Sequence, residues 1–110
     1  MREPINLTVD PGLKELIPGF IANRRKDVEA IGRALHSGNL EAIGVVGHNI
    51  RCFSRVYGFD DLTALGEEIQ QAAVERSTLR IVHAQTQLAD YLARIDIAIP
   101  GKDPAPGKSA

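Results

Sequence analysis

The sequence has few of the residues and patterns that mark extracellular or membrane proteins. It contains one cysteine, Cys52, so no disulfide can form within the chain and a zinc site made of cysteines alone is excluded. No run of about 18 apolar residues occurs, so we expect no membrane-spanning helix and no membrane partner. The first residues, Met1 to Pro4, lack the charged-then-apolar order of a signal peptide. These absences predict a soluble, cytoplasmic protein.

The chain also lacks an excess of charge of either sign. Lys plus Arg number 13 and Asp plus Glu number 14, a formal net charge of -1. A general nucleic-acid binder carries a basic excess, so no nucleic-acid partner is expected. Tryptophan is absent and aromatic residues make up 5% of the chain, so the core must be mostly aliphatic. The 110 residues, 44% of them hydrophobic, suffice for one domain and are too few for two ordinary ones.

Glycine, proline and small polar residues divide the chain into helical segments. Asp10–Pro11 predicts a helix start, and Pro18 should kink that segment or split it into a short helix and a long one. At the connector 36–39, Gly38 can adopt a left-handed conformation and Asn39 can cap the next helix.

The later boundaries follow from the same residue types. Gly58 should end the second long helix, and Asp60 or Asp61 should be the N-cap of the third. Ser77, within the connector 76–78, should cap the fourth helix.

Short connectors of about 2–5 residues favour antiparallel neighbours. We therefore predict an all-α fold, an antiparallel up-down-up-down four-helix bundle with a short N-terminal helix, over residues 10–97. Residues 1–9 are an N-terminal extension. Residues 100–110 are rich in Pro and Gly with almost no apolar content, and we expect a flexible tail there.

The second long helix carries a histidine that faces away from the apolar stripe. The stripe consists of Ile43, Val46, Gly47, Ile50, Phe53 and Tyr57. At about 100° per residue, His48 lies about 160° from the centre of that stripe and should point to solvent. Arg51 and Arg55 share its face, while Gly44 and Cys52 are small enough to leave the ring uncovered.

An exposed imidazole beside arginines is suited to carrying a phosphoryl group. A neutral imidazole is a nitrogen nucleophile, and the neighbouring guanidinium groups could pair with a phosphoryl group once it is attached. Three other interpretations of His48 stay open. In the first, the side chain is merely exposed. In the second, His48 and Cys52 are two zinc ligands, although a structural zinc site needs four. In the third, His48 and Cys52 form a catalytic pair, although the sequence indicates neither a pocket nor an oxyanion hole.

The other two histidines have simpler interpretations. His36 lies in the last turn of its helix, where a partly protonated ring complements the helix dipole. His83 lies on the outer face of the fourth helix among Arg80, Gln87 and Asp90, a mixed polar surface. We expect both to be structural or merely exposed.

Residues 48–58, HNIRCFSRVYG, resemble the histidine-containing phosphotransfer (HPt) motif H-x-L-K-G-x-S-x-x-x-G. Three positions match outright: His48, Ser54 and Gly58. Ile50 and Arg51 are conservative replacements for Leu and Lys, and Cys52 stands where the family has Gly. The resemblance covers roughly residues 10–95, because the predicted helices surround the motif as in that family.

The resemblance implies a phosphocarrier in a two-component relay rather than a turnover enzyme. Members exchange a phosphoryl group between their histidine and an aspartate of a response-regulator receiver domain, and a sensor histidine kinase is the other expected partner. By this resemblance His48 is the phosphoacceptor and Arg51 the adjacent cation. The receiver supplies Mg²⁺, so no cofactor or metal is expected on this chain.

The resemblance also implies a docking face and structural positions around the histidine. The docking face consists of Gly44, Val45, Cys52 and Arg55. Ser54 is expected to be structural, and Gly58 to end the helix. The Cys52 thiol adds bulk where the family Gly leaves room for a receiver loop. The alternative function is a non-catalytic helical interaction bundle that binds receiver or kinase domains without phosphotransfer.

Overall fold

The computed structural model describes the backbone of residues 15–98 and the side chains of residues 15–95. These residues form four α-helices and no strand: α1 (Ile17–Ser37), α2 (Leu40–Tyr57), α3 (Asp60–Val74) and α4 (Thr78–Ala98). α1 and α3 each pack against both α2 and α4, which closes the bundle. The predicted all-α antiparallel four-helix bundle is confirmed. The predicted short N-terminal helix, the extension 1–9 and the tail 100–110 lie outside the described residues.

No helix in the described part of the chain combines the length and the apolar content that crossing a membrane requires.

Small residues set the ends of the helices largely as predicted. Gly38 (φ 74°) and Gly58 (φ 78°) adopt the left-handed conformation that ends α1 and α2. Asn39 caps α2, because its Oδ1 accepts a hydrogen bond from the N–H of Ala42 at 3.1 Å. Ser77 Oγ accepts a longer hydrogen bond, 3.4 Å, from a backbone N–H in the first turn of α4.

The start of α3 differs from the prediction. Its N-cap is Phe59, whose side chain makes no capping hydrogen bond, so the predicted cap by Asp60 or Asp61 is wrong. The two carboxylates lie in the first turn instead, where they complement the helix dipole. Phe59 is 1% exposed, and its N–H donates to the carbonyl of Ser54 at 3.0 Å. Burial of this ring therefore fixes where α3 begins.

Pro18 lies in the first turn of α1, where no intrahelical N–H is needed. The long helix therefore includes Pro18 and continues to Ser37 without a break. The helical segment predicted before Pro18 falls mostly outside the described residues.

The core is aliphatic, as the scarcity of aromatic residues predicted. The largest fully buried side chains, apart from Phe59, are isoleucines and leucines. The aromatic side chains of Phe20, Tyr57 and Phe59 form one cluster where α1 meets the end of α2. Their ring centroids lie 4.6 Å apart for Phe20–Tyr57 and 5.2 Å for Phe20–Phe59.

Two glycines bring the backbones of α2 and α3 into contact. A Cβ added at Gly47 would lie 2.7 Å from the backbone N of Gln70 and 2.9 Å from the carbonyl O of Gly66. A Cβ at Gly66 would lie 2.5 Å from the backbone N of Arg51. No side chain larger than hydrogen fits at either position without moving a helix. We call this contact the glycine seam; it explains Gly66, for which the sequence pattern offers no reason.

Candidate functional site

The register of α2 directs His48 away from the core. The buried positions of this helix are Ile43, Gly47, Ile50 and Ser54, and His48 is exposed near mid-helix, as its angle predicted. Phe53 was predicted on the apolar stripe, and this is wrong, because its side chain is 52% exposed. Ser54 takes the buried position, and the ring of Phe53 lies over the guanidinium of Arg24 at 5.4 Å.

Both ring nitrogens of His48 have a neighbour on the same helix. Arg51 Nη2 lies 3.2 Å from His48 Nδ1, and Cys52 Sγ lies 3.6 Å from Nε2. A guanidinium only donates, so Nδ1 must be the accepting nitrogen. The neutral ring then carries its proton on Nε2, and that N–H faces the sulfur. In that tautomer the lone pair of the imidazole lies beside the Arg51 guanidinium.

The glycine seam lies directly beneath this group. Gly47 precedes His48, and the backbone N of Arg51 is the atom nearest to the position that a Cβ would take at Gly66. Because backbone atoms meet across the seam, the helical turn that carries His48 and Arg51 has little freedom to shift against α3. The exposed imidazole therefore stands on a rigid base.

An open cavity of about 490 Å³ lies beside His48, between α2 and α3. Leu40, Glu41, Gly44 and Val45 line it from α2. Gln70, Ala73, Val74 and Arg76 line it from α3 and the turn that follows. No pocket was expected at His48 from the sequence, whereas the structure has a cleft on one side of the histidine.

The predicted docking residues lie on two sides of His48. Gly44 and Val45 line the cavity on its N-terminal side, where Val45 is 60% exposed and Gly44 faces Ala73. Cys52 and Arg55 are exposed on the C-terminal side and do not line that cavity. In the structure, Gly44 and Val45 therefore share a surface with residues of α3, and Cys52 and Arg55 belong to a different surface.

The remaining predicted positions have clear places in the fold. Ser54 is completely buried and Gly58 ends α2. His36 lies in the last turn of α1, and His83 is exposed on α4. Among the described residues, no group of three or more His, Cys, Asp or Glu side chains is arranged to hold a metal ion.

The residues that line the cavity from α3 were not identified from the sequence. Gln70, Val74 and Arg76 lie more than 20 positions from His48, and the periodicity of one helix says nothing about its neighbour. A usable signal was Gly66, since an unexplained glycine inside a helix marks a close helix contact. Gln70, one turn later, then lies across from Gly47.

Comparisons of the chain with protein-family models, with curated proteins and with solved structures found no significant match.

Proposed function

We propose that this chain is a phosphocarrier that accepts a phosphoryl group on His48 and passes it on. The observation that carries the proposal is the setting of His48. Its imidazole is exposed on a rigid helix, contacts the Arg51 guanidinium at 3.2 Å, and borders an open cavity. The HPt-like motif at residues 48–58 supports the same function.

In the transfer step, Arg51 gives up its contact with Nδ1 of His48, and that nitrogen attacks the phosphorus of a phosphoaspartate with the freed lone pair. The P–O bond to the aspartate breaks, and the carboxylate leaves with the electron pair. The other ring nitrogen keeps its proton until the phosphoimidazolium releases it to water. Arg51 lies where it can offset the negative charge of the incoming group.

The partners we propose are a response-regulator receiver domain, which brings the aspartate and its Mg²⁺, and a sensor histidine kinase. We also propose that the chain acts in the cytoplasm, where these partners would meet it. Exposed apolar side chains on α2 support a docking face: Val45, Phe53 and Val56 are 60%, 52% and 68% exposed. Because each phosphoryl group is received and passed on, the chain is a carrier rather than a turnover enzyme.

A non-catalytic interaction bundle would use the same face, so phosphate on His48 decides between the two functions. Incubation with a phosphorylated receiver should give acid-labile, base-stable phosphate on the wild-type chain. His48→Gln should abolish it while changing the free energy of unfolding by no more than about 0.5 kcal/mol, since the side chain is exposed.

His36→Gln and His83→Gln are the matched controls and should label like the wild type. Phosphate retained by His48→Gln would refute the assignment of the acceptor. A wild-type chain that binds the receiver but takes no phosphate would establish the interaction bundle instead.

A further inference from the structure

The turn after α3 holds a backbone conformation that its side chain disfavours. Arg76 has φ 57°, the one positive φ among the described residues other than glycine. The corresponding positions after α1 and α2 are Gly38 and Gly58. Backbone hydrogen bonds hold the turn, with Arg76 N–H donating to Ala73 and Ser77 N–H to Ala72. Glycine would make the same bonds without the steric cost of a Cβ.

The guanidinium of Arg76 has no ionic partner among the described residues, because the neighbouring carboxylates bind other side chains. Glu75 is bound by Gln71 at 2.7 Å and by Arg80, and Arg80 also binds Glu68 at 2.9 Å. Arg76 itself is exposed. Nothing in its local contacts therefore accounts for an arginine at this strained position.

What Arg76 does share is the cavity with His48. A backbone held in an unfavourable conformation at a functional cleft is a reason to look for a role of its side chain. The cavity also contains Glu41, in the first turn of α2, and no described ion pair joins it to Arg76. A dianionic group on the imidazole would have Arg51 on its own helix and Arg76 on the opposite wall.

We propose that Arg76 is a second cation of the His48 site, which contacts the phosphoryl group once it is attached and stabilises the phosphohistidine. The inference rests on the proposed phosphocarrier function. Arg51 lies on α2 and Arg76 in the turn after α3, so together they bracket the phosphoryl oxygens in a way that one arginine on α2 does not.

The variant Arg76→Gly separates this role from a structural one, because it removes the charge and also removes the steric strain of the backbone at this position. We expect its Tm to rise by about 4 °C or more. In the same variant, the half-life of the phosphohistidine formed with phosphoramidate should shorten about fivefold or more, followed by intact-mass spectrometry. Phosphoramidate transfers its phosphoryl group as the P–N bond breaks and ammonia leaves. Signal from the other histidines is subtracted with His48→Gln.

Arg76→Lys should recover most of the half-life, since it restores the charge. Arg33→Ala removes an exposed arginine from α1, away from the cavity, and should leave the half-life unchanged. Any one of three results would overturn the role of Arg76. These are an unchanged phosphohistidine half-life in Arg76→Gly, a lower Tm of Arg76→Gly, and a half-life in Arg76→Lys that stays as short as in Arg76→Gly. A wild-type chain that takes no phosphoryl group on His48 would overturn the proposed function as well.

Discussion

α2 is packed against its two neighbours by opposite means. On the α3 side, Gly47 and Gly66 bring backbone against backbone. On the α1 side, long side chains fill the space, chiefly the aromatic cluster of Phe20, Tyr57 and Phe59. The His48 cavity opens on the glycine side. The exposed side chain of His48 thus lies where the helices have the least freedom to move against each other.

The α1 side contains buried polar groups that are only partly hydrogen-bonded. Arg24 is 6% exposed, and its guanidinium lies between the rings of Phe20 and Phe53, at 5.2 and 5.4 Å. Arg24 Nε is 2.7 Å from the carboxylate of Asp27 in an ion pair, while Nη1 has no hydrogen-bond partner among the described residues. On the α1 side the contacts are therefore made by side chains, whereas at the glycine seam they are made by backbone atoms.

The largest expected effect lies in the aromatic cluster. Phe59→Ala should lower the free energy of unfolding by about 3–5 kcal/mol, because the ring is fully buried and leaves a cavity. Phe53→Ala is the matched control, since this residue is already 52% exposed, and it should cost about 1 kcal/mol or less. Urea denaturation of both variants checks the difference; equal losses would mean that Phe53 belongs to the core.

A smaller loss is expected at the glycine seam. Gly66→Ala should lower the free energy of unfolding by about 1–3 kcal/mol, because the new methyl group would meet backbone atoms of Arg51 and Gly47 that cannot give way alone. Gly19→Ala adds the same methyl group in open space and should be neutral or stabilising by up to about 1 kcal/mol. An unchanged free energy of unfolding in Gly66→Ala would show that the two helices separate easily.

The smallest effect concerns Asp27 and depends on pH. Burial raises the pKa of the Asp27 carboxyl above its ordinary value, against the attraction of Arg24. Folding then favours the protonated acid, so this contribution to stability is present below the unfolded pKa and is lost as pH rises through the folded pKa. The Tm of the wild type relative to Asp27→Asn should therefore rise as pH falls from 7 to about 4. The opposite slope would show that the ion pair outweighs burial.

The sequence predicted the features that depend on short-range chemistry. Gly38, Asn39 and Gly58 set helix ends through their own backbone and side-chain geometry, and the angle of His48 follows from one helix. The start of α3 was mispredicted because burial of Phe59 outweighs capping by an aspartate. Phe53 was mispredicted because its ring packs over the Arg24 guanidinium at the surface of α1, while Ser54 takes the buried position on α2.

The site was predictable only on the α2 side. Arg51 and Cys52 follow from helical spacing to His48, and their distances to its two ring nitrogens agree with that spacing. Gln70 and Arg76 depend on how α3 lies against α2, which is decided by contacts between residues far apart in the chain. No local pattern contains that information.

Cys52 makes His48 accessible to spectroscopy in the natural sequence. It is the only cysteine of the chain, it is exposed, and its sulfur lies 3.6 Å from His48 Nε2. Cyanylation would attach a nitrile of two heavy atoms beside the imidazole and nowhere else. The stretching frequency of a nitrile responds to the local electric field, and a phosphoryl dianion is a large change in that field. Infrared absorption could therefore follow the charge state of one histidine in time, without isotopic labelling or mutation.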